Sequence, residues 1–197
     1  MVEHDQSGGA IIAASVLDAA SFGAIFDRHF VEIDRYLARR VGAELADDLA
    51  AETFVIAFRS RSRYDASIGD ARPWLFGIAA NLARRHWRTE RRRLRAYART
   101  GVDPLADEVD EVERRIDALA AGPELAGALA SLSARERDVL LLFAWADLNY
   151  AEIASALEIP VGTVRSRLSR ARARVRELVS PSGQFGVDRI AEGERNE

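Results

Sequence analysis

The sequence predicts an all-α chain: two small helical domains joined by an acidic flexible linker, the second domain containing a helix-turn-helix. Three observations predict it. Apolar residues recur at helical spacing through most of the chain, and no run alternates with period two over a useful length. Glycine, proline and acids gather between positions 100 and 125, separating two apolar-periodic regions. Charge is sorted into blocks that a near-neutral total conceals, the formal net charge being −3. The expected boundaries are a flexible segment over 1–20, a first domain over 21–99, a linker over 100–124, a second domain over 125–179 and a flexible tail over 180–197.

The first domain opens with Phe22, Phe26, Phe30, Ile33, Leu37 and Val41, followed by Leu45, Leu49, Phe54 and Phe58, all at helical spacing. A turn-rich stretch, RYDASIGDARP, follows, with Gly69 and Pro73 as punctuation and Pro73 suited to the first turn of a helix. Trp74, Leu75, Ile78, Ala79 and Leu82 then form the stripe of a helix that runs into eight arginines between Arg84 and Arg99, opposed by Glu90 alone.

The sign reverses from Asp103 to Glu124, where eight acids face Arg114 and Arg115. Some 25 extended residues reach on the order of 80 Å, so the two basic blocks need not share one surface.

The second domain begins with Leu125, Leu129 and Leu132. Ser133 and Glu136 have the spacing of a capping box, and Val139, Leu140, Leu142 and Phe143 supply the buried face of the helix behind it. The stretch NYAEIASALEIPVGTVRSRLSRAR has helix-turn-helix spacing. Ile153, Ala154 and Leu157 face inward on its first helix. Ile159 and Pro160 make the turn, with Glu158 where such turns often hold glycine, and Val164 and Leu168 bury the second helix. Between Arg165 and Arg176 there are six arginines in twelve residues and no acid. With Val164 and Leu168 pinned inward, Arg165, Ser166, Ser169, Arg170 and Arg172 are expected to face outward, early ones toward base edges and later ones toward phosphates. A solvated helix face is the plain alternative for any arginine run, but few acids are near enough to make i,i+4 pairs. A helical hairpin with a purely structural role has no need of a one-sided arginine face.

Several classes find no support. There is no cysteine, the three histidines are scattered, and no phosphate loop, nucleophile elbow or metal-ligand spacing occurs. No catalytic residue, metal or cofactor is expected. The N-terminus carries acids rather than a basic n-region and no run nears eighteen apolar residues. A cytoplasmic chain without membrane insertion is therefore expected. All 28 basic residues are arginine; arginine suits phosphate, but a coding bias accounts for the absence of lysine more simply.

The stretch ARPWLFGIAANLARRHWRTERRR resembles the promoter-melting helix of bacterial RNA polymerase sigma factors, and YAEIASALEIPVGTVRSRLSRARARV resembles their minus-thirty-five recognition motif. Both in this order, with a short linker, are similar to the extracytoplasmic-function (ECF) group of the sigma-70 family, over about residues 21–99 and 125–179. The resemblance implies a promoter-specificity subunit without catalytic activity, whose partners are core RNA polymerase (the clamp of the largest subunit and the flap) and promoter DNA. An anti-sigma factor is a further partner that it allows.

By the same resemblance, Asp48, Glu52 and Phe54 match the helix that docks on the polymerase clamp, with Ala51 in place of the usual glutamine. Trp74 and Asn81 match the helix that opens the minus-ten element. The loop Asp65, Ala66, Ser67, Ile68, Gly69 and Asp70 stands where a flipped-out base is captured. Arg84, Arg85 and Arg88 hold the backbone of the melted strand. Thr163, Arg165, Ser166, Ser169, Arg170 and Arg172 fall on the minus-thirty-five-reading helix, and the acidic linker threads the RNA-exit channel. The alternative is a stand-alone helix-turn-helix regulator, whose first half would sense or dimerise; residues 21–99 lack the alternating strands and phosphorylation acids of a receiver domain.

Overall fold

The structure is a computed structural model and describes residues 7–98 and 123–179. Residues 1–6, 99–122 and 180–197 lie outside the described residues, and with them the tail and most of the linker expected over 100–124; its last two positions, Pro123 and Glu124, instead open a helix (Pro123–Ser131). Eight α-helices are assigned among the described residues, and no strand.

The first expectation to change is the flexible N-terminal segment. Helix α1 (Gly8–Leu17) is capped by Ser7, whose hydroxyl accepts from the Ala10 N–H. It buries Ile11 and Ile12. Its two glycines allow close approach to the loop before α4: the Gly9 N–H donates to the Gly69 carbonyl at 2.7 Å, where a Cβ on Gly9 would stand 2.7 Å from the Ala66 carbonyl. A 3₁₀ turn, Ala19–Phe22, leads into α2 (Gly23–Val41).

Helices α2 and α3 (Ala43–Ser60) meet at Gly42, whose φ of 88° is open to glycine and strained for other residues. Ile33, Tyr36 and Leu37 of α2 are fully buried, with Ala50 and Ala57 of α3. Two 3₁₀ turns, Arg61–Arg63 and Ala66–Ile68, connect to the long α4 (Arg72–Ala98), which buries Leu75, Ala79 and Leu82 as its spacing predicts, leaves Trp74 and Ile78 half-buried, and buries Phe76 and Ala83 as well.

The second half starts at α5 (Pro123–Ser131) and continues through α6 (Ala134–Trp145), α7 (Tyr150–Leu157) and α8 (Val161–Leu178). The capping box at Ser133 and Glu136 forms. A second box, Asn149 with Glu152, starts α7.

The two halves are in contact, which the expectation of two domains on a flexible linker did not include. Helix α4 packs against α7, and Gly77 lies so close that a Cβ there would stand 2.3 Å from the Ala156 carbonyl oxygen. Buried residues of both halves form one continuous apolar cluster. Among the described residues, no helix is long and apolar enough to cross a membrane.

Candidate nucleic-acid interface

In the second half, the turn between α7 and α8 sets the direction of the arginine helix. Glu158 ends α7 in the left-handed conformation, φ 52° and ψ 47°, and the Ile159 N–H returns to the Ala154 carbonyl at 3.0 Å. Pro160 begins α8, its carbonyl accepting from the Thr163 and Val164 N–H groups. Val164 and Leu168 are buried, so Arg165, Ser166, Ser169 and Arg170 lie exposed on one side, with Thr163 half-buried at its edge. The Ser166 hydroxyl donates to the Thr163 carbonyl. Arg170 Nε lies 3.5 Å from Glu136 Oε1 with its side chain 66 % exposed, a weak tether that leaves the fork free to turn.

Arg172 departs from expectation. It is buried, its guanidinium stacked 4.6 Å from the Phe143 ring centre, and its Nε and Nη2 have no hydrogen-bond partner among the described residues. It shares a face with Val164, Leu168, Ala171 and Val175, and supports the fold rather than reaching outward.

In the first half, the loop before α4 is built by its own polar groups. Asp65 accepts from the Ser67 N–H at 3.0 Å, and hydrogen bonding from Ser67 holds its carboxyl below the usual carboxylate range. The Tyr64 hydroxyl donates to the Asp70 carbonyl at 2.9 Å. Burial, with Asp70 and Asp65 nearby, pushes the phenol up to about 12. The Tyr64 ring lies 4.9 Å from that of Trp74. Asp65, Ala66, Ser67 and Ile68 are exposed, while Gly69 and Asp70 are half-buried. Together Tyr64, Asp65, Ile68, Trp74 and Asn81 line one side of a cleft of about 460 Å³, and Ser155, Ala156 and Glu158 of the second half line the other.

Asn81, Arg85 and Arg88 are exposed along α4. Arg84 donates to the Asn81 side chain, and its Nη1 lies 3.4 Å from Asp138 Oδ2 of the second half. That oxygen has no hydrogen bond, so the contact is an ion pair without hydrogen-bond geometry. Arg84 is thus turned toward protein in this arrangement. Beyond Thr89, the arginine side chains of α4 lie outside the described residues.

On α3, Asp48 and Glu52 are exposed, whereas Phe54 is buried at 4 %. Phe54 packs at 5.0 Å against Phe26, which remains 40 % exposed, and at 6.0 Å against Phe30. A partner docking here would meet Phe26 and the two carboxylates, with Phe54 behind them.

The sequence reading missed Arg40, Arg72, Gly77 and Asp138, which join the halves. The one available signal was Gly77, a glycine in the middle of a helical stripe, where close packing is the usual reason.

Residues 25–93 match the family model described as sigma-70 region 2, and residues 124–175 match sigma-70, region 4. The ECF RNA polymerase sigma factor SigL of Mycobacterium tuberculosis is 33 % identical over 181 residues, 91 % of this chain and 98 % of SigL. The RNA polymerase sigma factor HrpL of Pseudomonas syringae pv. syringae is 30 % identical over 74 % of this chain and 80 % of its own length. Among solved structures, CnrH in complex with the cytosolic domain of CnrY matches with a TM-score of 0.60 at 24 % identity, over 86 % of this chain and 95 % of that one. The sigma factor RpoE in complex with the anti-sigma factor NepR, from Bartonella quintana, matches with a TM-score of 0.59 at 21 % identity, over 82 % and 98 %.

Proposed function

The chain belongs to the sigma-70 family of RNA polymerase sigma factors, in its ECF group, and on that premise we propose how its two halves divide the work. It directs promoter-specific transcription initiation together with core RNA polymerase. The reading assigns Arg165, Ser166, Ser169 and Arg170 to the major groove of the minus-thirty-five element, with Thr163 at the margin. The observation that carries this is the pinning of α8: Val164 and Leu168 are sealed inward, so these four side chains present one exposed polar face behind a fixed turn. Arginine there donates two parallel hydrogen bonds to a guanine edge or to a phosphate.

The loop Asp65–Asp70 with Trp74 and Asn81 captures the melted minus-ten strand. Support comes from the cleft and from the Tyr64–Trp74 pair, an aromatic floor on which an extruded base stacks. Arg85 and Arg88 hold the strand's backbone, joined by Arg84 once it leaves Asp138. Asp48, Glu52 and the exposed edge of Phe26 dock on the polymerase clamp, with Phe54 as their support. The chain acts in the cytoplasm, by binding and without catalysing a reaction itself. That one protein of similar fold, the sigma factor RpoE, is in complex with the anti-sigma factor NepR supports an anti-sigma protein as a regulator here as well. The stand-alone regulator reading would leave the region 2 match of the first half without a purpose.

The test is reconstitution with core polymerase on a genomic promoter library. Specific start sites that require this chain are expected; tight operator binding without polymerase, and no polymerase-dependent start sites, would contradict the reading.

A further inference from the structure

A second concavity lies beside the contact between Arg40 and Asp138. It holds about 290 Å³ and is lined by Arg84 of α4, Arg135 and Asp138 of α6, Leu157 and Ile159 at the turn, and Arg167 of α8. Three guanidinium groups and one carboxylate thus share a small space. The carboxylate is already engaged: Arg40 donates to its Oδ1 at 2.8 Å from the interior, and Arg84 stands 3.4 Å from its Oδ2. Arg135 and Arg167 have no hydrogen bond or ion pair among the described residues. Nor does the helix gain from Arg135, which stands in the first turn of α6, where the helix dipole disfavours a cation. Like charges gathered against an apolar wall repel one another unless an anion joins them. Asp138 adds an independent sign. Its Oδ2 is buried and accepts no hydrogen bond, so the pocket holds an acceptor without a donor as well as donors without an acceptor.

We propose that this pocket binds a nucleoside phosphate. Arg135 and Arg167 donate in pairs to the phosphate oxygens, as the planar guanidinium fork allows. Leu157 and Ile159, both half-buried, receive the face of the base. A ribose hydroxyl or a base amino group donates to Asp138 Oδ2 as Arg84 turns from it toward the phosphate. Each feature of the pocket thereby finds its complement in one molecule. Inorganic phosphate has no donor for the carboxylate once ionised and no face for the apolar wall. A duplex backbone is a poorer match, because the side chains that α8 presents to a duplex, Arg165, Ser166, Ser169 and Arg170, do not line this pocket. Its volume is at the low end for small-molecule sites, which suits a single nucleotide. The site stands on these residues and is independent of the promoter assignment above. Because Arg84 comes from one half and Arg135 and Arg167 from the other, the ligand stabilises the arrangement that brings them together.

The experiment titrates the full chain calorimetrically with ADP, GDP, CDP and UDP, with inorganic pyrophosphate and the four parent nucleosides alongside. At least one nucleotide is expected to bind one to one, about tenfold or more tighter than pyrophosphate or its own nucleoside. At about 100 times its Kd it should raise the melting temperature by about 5 °C or more. Arg135→Ala and Arg167→Gln are each expected to weaken that binding about tenfold or more. Neither side chain bonds within the described fold, so both variants should keep the wild-type circular dichroism; should one fail to fold, the other decides. Arg135→Ala should leave promoter-duplex affinity unchanged. Nucleotides binding no better than pyrophosphate would make this an adventitious anion site only and overturn the proposal. Nucleotide binding undiminished in both variants would overturn the assigned residues. No nucleotide bound by wild type, with duplex affinity lost in Arg135→Ala, would give these arginines to the DNA backbone instead. Failure of the function assigned above would appear separately, as a chain that binds its nucleotide but directs no initiation with core polymerase.

Discussion

Arg40 and Asp138 stand 98 positions apart in sequence, yet the guanidinium of one donates to the carboxylate of the other at 2.8 Å, both side chains almost wholly buried. Arg40 also donates to the Tyr36 hydroxyl at 2.8 Å, which fixes its fork from its own half. Arg84 approaches the same carboxylate from the solvent side, 26 % exposed and 3.4 Å away.

These two arginines are therefore expected to differ in weight. Arg40→Ala strands a buried carboxylate and is predicted to lower stability by up to about 3 kcal/mol. The ceiling is the free energy of docking, since parted halves return Asp138 to water. Arg84→Ala is predicted to cost less than about 1 kcal/mol. Urea unfolding followed by tryptophan fluorescence checks both, and equal losses would argue against the assigned geometry.

Arg170 and Arg172 make a second contrast. Arg172→Met keeps the apolar stem over Phe143 and removes two unpaired buried nitrogens, so stability is expected to change by less than about 1 kcal/mol or to rise. The salt dependence of promoter binding should not move. Arg170→Ala is expected to cost about 1–3 kcal/mol at one promoter position and little elsewhere. Binding titrations over a salt series separate the two. A salt slope reduced by about one on Arg172→Met would place that side chain on a phosphate after all.

Glu158 occupies a left-handed position, φ 52°, at which non-glycine side chains are disfavoured by about 1–2 kcal/mol. Glycine removes that strain but adds freedom to the unfolded chain, a loss of about 0.4–1 kcal/mol. Glu158→Gly is predicted to stabilise by about 0.5–1 kcal/mol, measured by thermal unfolding, with promoter preference unchanged. A destabilised variant would mean that the turn does not carry that strain.

Glu32 gives the acid side of the stability curve a specific source. Burial raises its carboxyl, but the His29 hydrogen bond at 2.5 Å and the Arg72 charge prevail and hold it below its ordinary 4.5. A carboxyl lowered on folding contributes stability that is complete above its unfolded pKa and lost as pH falls through the folded one. Stability is thus predicted to fall as pH drops below the ordinary carboxylate value and through the lowered folded one, and Glu32→Gln to flatten part of that drop. Coincident acid-unfolding curves for wild type and Glu32→Gln would remove Glu32 from the account.

Much of this was legible beforehand. The capping box at Ser133, the stripe of α4 and the inward Val164 and Leu168 follow from spacing and local hydrogen bonding, which a sequence displays directly. Arg172 was legible too: it lies four residues beyond Leu168 and one beyond Ala171, on the buried face, and the arginine block obscured that register. Helix α1 was not legible: it is held by close approach of Gly8 to Ala71 and of Gly9 to Ala66 and Gly69, contacts that only the fold supplies. The seam between the halves had no local signature. Arg40 and Asp138 look like any charged pair of positions until the fold brings them together. Only Gly77 hinted at a neighbour.

On the function proposed above, two arginine-bearing helices of one chain engage two separated promoter elements while polymerase holds them apart. The chain has no cysteine, so cysteines introduced at Glu44 and Ala173, both exposed, can be labelled and their separation measured in the free chain and in the promoter complex with core polymerase. A single distance in the free chain, lengthening by tens of ångströms in the complex, is the predicted result. An unchanged distance in the complex, with transcription proceeding normally, would contradict it.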